Sequence, residues 1–138
     1  LLSKAKIKEA SWFKTSIAIN NGDGNFTMVA LPKEIQFSCV NAILSLDLNS
    51  DGTNDLVLGG NDSGFMPQYS RLDASYGHTL INNGSGVFHL VNNKDSGFFV
   101  RGEIRNFLEL KVNKKAGFIV LLNNQRPRTY EMANWKSN

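Results

Sequence analysis

Residues 42 to 58 decide the fold of this chain, and they are Ala42-Ile43-Leu44-Ser45-Leu46-Asp47-Leu48-Asn49-Ser50-Asp51-Gly52-Thr53-Asn54-Asp55-Leu56-Val57-Leu58. Apolar side chains recur at every second residue from Ala42 to Leu48, which is typical of a β-strand with one buried face. The run at residues 56–58 is short, continuous and apolar, which favours a strand buried on both faces. The polar residues between the two strands therefore predict a hairpin loop rich in side-chain oxygens.

This polar loop has the spacing of a calcium-binding loop. Calcium takes about 6–8 oxygen ligands, and a tight loop supplies them by offering an oxygen at every second residue. The ligand positions 1, 3, 5, 7 and 9 are occupied by Asp47, Asn49, Asp51, Thr53 and Asp55. Thr53 would contribute its backbone carbonyl, and Gly52 stands where the backbone must turn sharply. Three carboxylates this close together repel one another without a cation, so we predict a Ca²⁺ site. A solvated acidic turn is the alternative.

The flanking residues separate this loop from helical calcium motifs. An EF-hand needs a bidentate Glu at position 12 of the loop, and that position is Leu58. Helices would also have to flank the loop, whereas both flanks have the patterns of strands. We therefore predict a hairpin loop between two strands.

Composition limits the classes of protein that the chain belongs to. The 138 residues suit one domain with a core, and the net charge of +3 is too weak to indicate nucleic-acid binding. The one cysteine, Cys39, forms no internal disulfide and is expected to be a small buried hydrophobe. We expect no membrane span, because no apolar run approaches the ~20 residues of a spanning helix. Strand patterns dominate, and we predict an all-β fold.

Two Asn-Gly turns form an internal repeat. Asn20-Asn21-Gly22-Asp23-Gly24-Asn25-Phe26 recurs as Asn82-Asn83-Gly84-Ser85-Gly86-Val87-Phe88, about 62 residues later. An apolar strand precedes each turn and a short strand follows it. Since Asn and Gly tolerate the positive φ of tight turns, both copies predict β-hairpins.

A second match has nearly the same spacing. Residues 40–58 resemble residues 104–121, with one residue deleted in the loop. In this alignment Lys111 replaces Asp47 and Lys115 replaces Asp51, while Asn113 stands opposite Asn49. We predict that this second loop binds no metal.

The two matches define a unit of about 60 residues with four strands, the size of a long propeller blade. The predicted architecture is a set of four-stranded blades of the β-propeller type. Residues 15–31 would be half a blade, residues 40–91 a full blade with the calcium loop, and residues 104–133 a partial terminal blade. Residues 61–78 would be an insertion. Propellers close with about 4–8 blades, so the chain is not expected to close alone.

The Asp-rich loop and both Asn-Gly turns resemble the FG-GAP and VCBS-type repeats of integrin-α-like β-propellers. In those repeats a calcium loop lies between the first two strands of a blade. The Phe-Gly and Gly-Ala-Pro signatures of integrin repeats are absent, and Leu58-Gly59-Gly60 is their nearest counterpart. The resemblance therefore favours the bacterial VCBS branch. Because the chain begins with Leu1 and not with Met, we expect a C-terminal fragment of a longer protein.

The resemblance implies a non-enzymatic, calcium-stabilised scaffold in an extracellular, cell-surface or periplasmic protein. Its expected partners are calcium, the remaining blades of its own propeller, and a protein or glycan ligand. One rival is a propeller enzyme, a lyase or hydrolase, whose active site lies in missing blades. Another is a purely structural stalk.

Other residues offer weaker candidates for a site. His78 and His89 show no metal-ligand spacing, and packing or surface roles are favoured for both. A ligand platform near the chain ends is a further hypothesis, with aromatic packing as its alternative; its residues would be Trp12, Trp135, Tyr130, Arg126 and Arg128.

Overall fold

The computed structural model of the protein describes residues 6, 8–66, 68, 70–112 and 115–132. Within these residues the chain is mostly β and forms antiparallel sheets of two, four and three strands, none of which is closed. The all-β prediction is thus confirmed in its general form. The division into propeller blades stays a prediction.

The strands follow one another in chain order within each sheet. The first sheet contains β1 (Ser16–Asn20) and β2 (Phe26–Ala30). The second contains β3 (Val40–Leu46), β4 (Asp55–Gly60), β5 (His78–Asn82) and β6 (Phe88–Val91). The third contains β7 (Ile104–Val112), β8 (Lys115–Leu122) and β9 (Arg128–Glu131). Two short helical segments were not predicted, a 3₁₀ helix at Lys33–Phe37 and α1 at Asn93–Ser96.

The two Asn-Gly turns form the predicted hairpins, and they do so with the same local geometry. The Asn20 side chain accepts a hydrogen bond from the Gly22 N–H at 2.8 Å, and Asn82 accepts one from Gly84 at 3.0 Å. Both glycines have positive φ, +87° at Gly22 and +80° at Gly84. A side chain at either position would be strained, which explains why the motif contains glycine.

The second repeat also has a structural counterpart. In β3 the pairing register with β4 shifts between Val40 and Ala42, and in β7 the register with β8 shifts between Ile104 and Asn106. These irregularities occupy corresponding positions of the two aligned segments. The strand entrances therefore share a local bend as well as a sequence pattern.

The larger core lies between the second and third sheets. Its buried members are Ala42, Val57, Phe98, Val100, Ile104, Phe107, Phe118 and Val120. At Gly59 an added Cβ would lie 2.5 Å from Ile104 Cγ2. Only glycine therefore allows β4 and β7 to approach this closely, and a close approach of this kind fixes the distance between the two sheets.

A smaller core lies on the other face of the second sheet. Ile35 from the 3₁₀ helix packs there with Leu58 and Leu80. β4 is consequently buried on both faces, as its continuous apolar run predicts, with Val57 in one core and Leu58 in the other. This strand leads from the predicted calcium loop at its start to a polar cavity at its end. In the part of the chain that the structure describes, no helix has the length and apolar character of a membrane span.

Candidate functional site

The predicted calcium loop forms the connection between β3 and β4. The chain leaves β3 after Leu46 and enters β4 at Asp55. Two residues with positive φ, Ser50 at +62° and Gly52 at +87°, turn the backbone back on itself. The structure thus has the loop between two strands of one antiparallel sheet, and the flanks are not helical.

Asp47 organises the first half of this loop. Its Oδ1 accepts a hydrogen bond from the Asp51 N–H at 3.2 Å, and its Oδ2 accepts one from the Gly52 N–H at 2.9 Å. A carboxylate that accepts two backbone N–H groups holds the turn in one shape. Asp47 is half-buried, so part of its surface remains open to solvent.

Asp51 occupies the exposed tip of the loop. Its Oδ1 accepts hydrogen bonds from the Thr53 N–H at 2.8 Å and from the Thr53 hydroxyl at 2.5 Å. Its Oδ2 accepts one from the Asn49 amide at 2.7 Å. The Thr53 hydroxyl, then the Thr53 N–H and the Asn49 amide, hold the pKa of Asp51 below its ordinary value. These donors stabilise the ionised form, which is the form that binds a cation.

Asp55 has a different environment from the other predicted ligands. It is fully buried, with 0% of its surface exposed. Its Oδ2 accepts the Leu48 N–H at 2.9 Å, and its Oδ1 accepts the Asn82 N–H at 2.8 Å. Asp55 therefore joins the loop to the start of the β5–β6 turn. Each carboxylate oxygen has a second lone pair, so these bonds do not exhaust its capacity as an acceptor.

The β5–β6 turn packs directly beside the loop. The Thr53 hydroxyl lies 3.3 Å from the Asn82 carbonyl oxygen, and the Asn82 side-chain amide donates to the Asn54 carbonyl at 3.1 Å. The second Asn-Gly turn thus contacts the loop and supports its conformation. A spacing rule applied to residues 47–55 alone does not reveal this support.

The side chains of the loop have the chemistry that a hard cation requires, but their geometry differs from that of a metal-bound site. Asp47, Asn49 and Asp51 offer only oxygen ligands for Ca²⁺, with the Thr53 carbonyl between them and Asp55. Among the described residues, however, no three His, Cys, Asp or Glu side chains converge closely enough to hold a metal ion. The carboxylates instead bind N–H and O–H groups of the loop and its neighbour. The assignment of these five residues as ligands therefore stays a prediction.

Most of the segment aligned with this loop belongs to the strands β7 and β8. Antiparallel pairing of β7 with β8 continues as far as Val112 opposite Lys115. Lys111, aligned with Asp47, is thus a strand residue, and Asn113 lies outside the described residues. The sequence predicts a second loop here, but Lys111, Val112 and Lys115 belong to the paired strands. That this segment binds no metal stays a prediction.

The two histidines have unlike surroundings. His89 is exposed on β6, whereas His78 Nε2 lies 3.1 Å from Ser75 Oγ. Ser75 is 5% exposed, and its Oγ also accepts the Gly77 N–H at 3.2 Å. The Ser75 hydroxyl thus links the His78 ring to the backbone at Gly77.

The hypothesis of a platform near the chain ends receives no support at Tyr130. This ring stacks on Phe118, with centroids 5.4 Å apart, and it packs against the larger core. That environment agrees with the alternative of aromatic packing. Trp135 lies outside the described residues.

Sequence reasoning missed a polar cavity of about 650 Å³. Its walls come from residues 61–63, 71–74 and 101–103, from the β8–β9 connection at residues 123–125, and from Tyr76 and Arg128. The first two segments lie in the region that the sequence marked only as an insertion. Arginine, amide and carboxylate side chains line this cavity. The sequence does not reveal that they share it, because they are far apart in the chain.

Comparisons with known proteins identify no relative, since no family model, no curated protein and no solved structure matches the chain.

Proposed function

We propose that this chain is a calcium-stabilised segment of an FG-GAP or VCBS-type β-propeller, acting as a non-catalytic scaffold in an extracellular or cell-envelope protein. The observation that carries the proposal is the loop between β3 and β4. It offers oxygen ligands at alternate positions, with Asp51 kept ionised by its hydrogen bonds and Asp55 anchored beneath.

The order of the strands supports the propeller part of the proposal. β3, β4, β5 and β6 are neighbours in chain order, as in a four-stranded blade. β7, β8 and β9 repeat the first three strands of that order and begin with the same register shift. The second and third sheets bury a common core, as neighbouring blades do.

The exposed apolar side chains of the first sheet support the presence of further blades. Phe26 is 60% exposed and Met28 is 50% exposed, both on β2. A two-stranded sheet is marginally stable by itself. Additional strands of the same propeller would cover this surface and provide the missing stabilisation.

Calcium would act on the stability of this scaffold. With a Kd of ~10⁻⁴ M and ~1 mM free calcium, binding adds about 1.4 kcal/mol to the free energy of unfolding. A site of this affinity fills outside cells and stays empty in a cytosol that keeps calcium low. This dependence is the physical reason for proposing an extracellular or envelope location.

Titration calorimetry tests the proposal. We expect one calcium ion per chain and much weaker binding of magnesium, because Mg²⁺ demands near-ideal octahedral geometry and a loop of this kind is flexible in its coordination. The absence of calcium binding, or a second calcium ion per chain, would contradict the assignment of the loop.

A further inference from the structure

The polar cavity lies at the end of β4 opposite the predicted calcium loop. β4 begins at Asp55, within the loop's hydrogen bonds, and ends at Gly60, next to the cavity wall. A strand of six residues spans about 20 Å. The volume of about 650 Å³ lies within the ~300–1,000 Å³ of small-molecule pockets. The cavity is therefore a separate place where a ligand can bind.

Buried hydrogen bonds hold the walls of this cavity in place. Asn61 is 5% exposed, and its side-chain amide donates to the Ser75 carbonyl at 2.7 Å and to the Gly102 carbonyl at 2.9 Å. Its Oδ1 accepts the Ser38 hydroxyl at 2.8 Å. The Asn61 side chain thus links the segments that precede β3 and β5 to the segment that leads into β7. A cavity fixed in this way is preorganised for a ligand.

Three arginines give the cavity its positive charge. Arg71, Arg101 and Arg128 all line it and are exposed to solvent. Over the residues that the structure describes, none of the three takes part in an ion pair. Guanidinium groups bind carboxylate, sulfate and phosphate in a bidentate manner. These three are free to do so.

A buried carboxylate forms the opposite part of the wall. The Glu103 side chain is 7% exposed, and its Oε2 accepts hydrogen bonds from Ser63 Oγ at 2.8 Å and from Asn123 Nδ2 at 3.0 Å. Its Oε1 forms an ion pair with Arg105, yet no aligned hydrogen bond reaches this atom. The Arg105 guanidinium therefore neutralises a buried carboxylate of the lining. The Asn123 side chain, and to a smaller extent Ser63 and Arg105, lower the pKa of Glu103.

The remaining walls are suited to hydroxyl groups. Asn124 and Gln125 carry amides, which donate and accept hydrogen bonds as a ring of hydroxyls requires. Tyr76 adds an aromatic wall; its ring is stacked on Phe99 with centroids 4.7 Å apart and remains 41% exposed. Amides, carboxylates and an aromatic surface together fit a polyhydroxylated ring.

We infer that this cavity binds a saccharide that carries a carboxylate, such as a uronic acid residue. Arg71, Arg101 and Arg128 would bind its carboxylate, while the amides of Asn124 and Gln125 would bind its hydroxyls. This inference rests on the proposed function in taking a glycan as the scaffold's ligand, but it does not depend on calcium.

The balance of charge favours a singly charged ligand group over a phosphate. Asp62 and Asp73 also line the cavity. With Glu103 neutralised by Arg105, three guanidiniums face two carboxylates, and the excess is one positive charge. One carboxylate balances this excess, whereas a doubly charged phosphate exceeds it by one negative charge and is repelled more strongly by the two acids.

Calorimetric titration with digalacturonate, diglucuronate and dimannuronate tests the inference. At least one of these disaccharides is expected to bind, and its methyl ester, which keeps the hydroxyls but loses the charge, is expected to bind at least tenfold more weakly. Acetate and inorganic phosphate alone should bind at least tenfold more weakly as well. Failure of all three uronates, or equal binding of the ester, would overturn the inference, and so would equal binding of acetate or phosphate.

Variants of the lining locate the site. Arg101→Gln and Arg128→Gln should each weaken uronate binding about tenfold, since each removes a charged donor. Lys94→Gln, which removes an exposed positive charge outside the lining, is the matched control and should bind as the unaltered protein does. Unchanged affinity in both arginine variants would place the binding elsewhere and refute the inference.

The same titrations with and without calcium separate this inference from the proposed function. Uronate binding is expected in excess chelator as well as in 1 mM calcium. If the protein binds uronate but no calcium, the calcium assignment fails and the cavity assignment stands. If it binds one calcium ion and no uronate, the cavity assignment alone fails. Uronate binding that disappears in chelator would refute the independence of the two sites.

Discussion

The hairpins β3–β4 and β7–β8 share their packing and differ in their connections. Both begin with a register shift at the corresponding place, and their side chains meet in one core. The first hairpin leaves the sheet at Leu46 and returns at Asp55, whereas pairing in the second continues to Val112 and Lys115. Two equivalent pairs of strands thus support a long polar loop in one case, whereas in the other the strands stay paired as far as Val112 and Lys115.

This difference shows that the core and the connection are specified separately. Alternation of apolar residues fixes which faces of the strands are buried, because side chains on a strand alternate between its two faces. Nothing in that alternation limits the length of the connection at the exposed end. Chemical function can therefore be present in one hairpin and absent in its counterpart at little cost to the shared core.

The largest expected effect comes from Asp55, which has no counterpart in the second hairpin. Asp55→Ala leaves the N–H groups of Leu48 and Asn82 without their acceptor and empties a fully buried position. We expect the free energy of unfolding to fall by about 3 kcal/mol. Urea unfolding in excess chelator measures this loss without any contribution from calcium.

Glu109→Ala, which removes an exposed carboxylate from the second hairpin, is the control for Asp55→Ala. The Glu109 side chain is 54% exposed and lies 3.8 Å from Lys111. An exposed pair of this kind contributes little, so we expect a change within about 0.5 kcal/mol. If Asp55→Ala loses stability only in the presence of calcium, Asp55 is a metal ligand without the structural role described above.

The contact between the two hairpins is expected to give the next largest effect. In Gly59→Ala the new methyl group would lie 2.5 Å from Ile104 Cγ2. Overpacking of this kind costs about 1–3 kcal/mol, measurable as a lower midpoint of urea unfolding. Combining it with Ile104→Ala should cost less than the sum of the two single losses, because the smaller side chain makes room. Strictly additive losses would contradict the close approach of β4 to β7.

Calcium should distinguish the two hairpins by a smaller amount. At ~1 mM calcium and a Kd of ~10⁻⁴ M, the protein should gain about 1.4 kcal/mol in its free energy of unfolding. Asp51→Ala should abolish this gain, whereas Lys111→Ala, at the aligned strand position, should retain it. Thermal unfolding with calcium and with chelator measures both. If calcium stabilises the Asp51→Ala and Lys111→Ala variants equally, the prediction that only the first hairpin binds calcium is wrong.

The smallest expected effect concerns pH and involves His78 of β5. Burial lowers the pKa of His78, and the charge of Glu34 opposes this shift in part. The unfolded chain therefore takes up the proton first as the pH falls below about 6.5, which favours unfolding. The stability from neutral His78 is complete above that pH and is lost as the pH falls through the folded pKa.

His78→Gln should reduce this loss of stability between pH 7 and 5, measured as the change in unfolding midpoint over that range. His89→Gln removes the exposed histidine of β6 and is the control. If the pH dependence is retained in His78→Gln and disappears in His89→Gln, His89 and not His78 is its source, and the prediction is wrong.

Much of the local structure could be predicted because its signals are short in sequence. The Asn-Gly turns required positive φ at Gly22 and Gly84, and β4 was expected to be buried on both faces from three adjacent apolar residues. The loop at residues 47–54 was placed between two strands for the same reason. The two short helical segments were missed, since neither extends over enough residues to show a period.

The candidate site was only partly predictable. Spacing identifies Asp47 and Asp51 as oxygen donors, but it treats Asp55 as one more ligand. In the structure Asp55 binds the N–H of Asn82, which is 27 residues away, and this contact gives it a structural role. The cavity escaped prediction altogether, because Arg71, Arg101 and Arg128 lie far apart in the chain and line one cavity only in the folded structure.

The sequence by itself thus determined the strands, the turns and the chemistry of one loop. These features depend on side chains within a few residues of one another, whose period and backbone preferences are local. Only the tertiary structure decided which carboxylate is buried and which side chains line one cavity. Such outcomes depend on contacts between segments that are distant in the chain, and the free energy of packing selects among arrangements that local patterns allow equally.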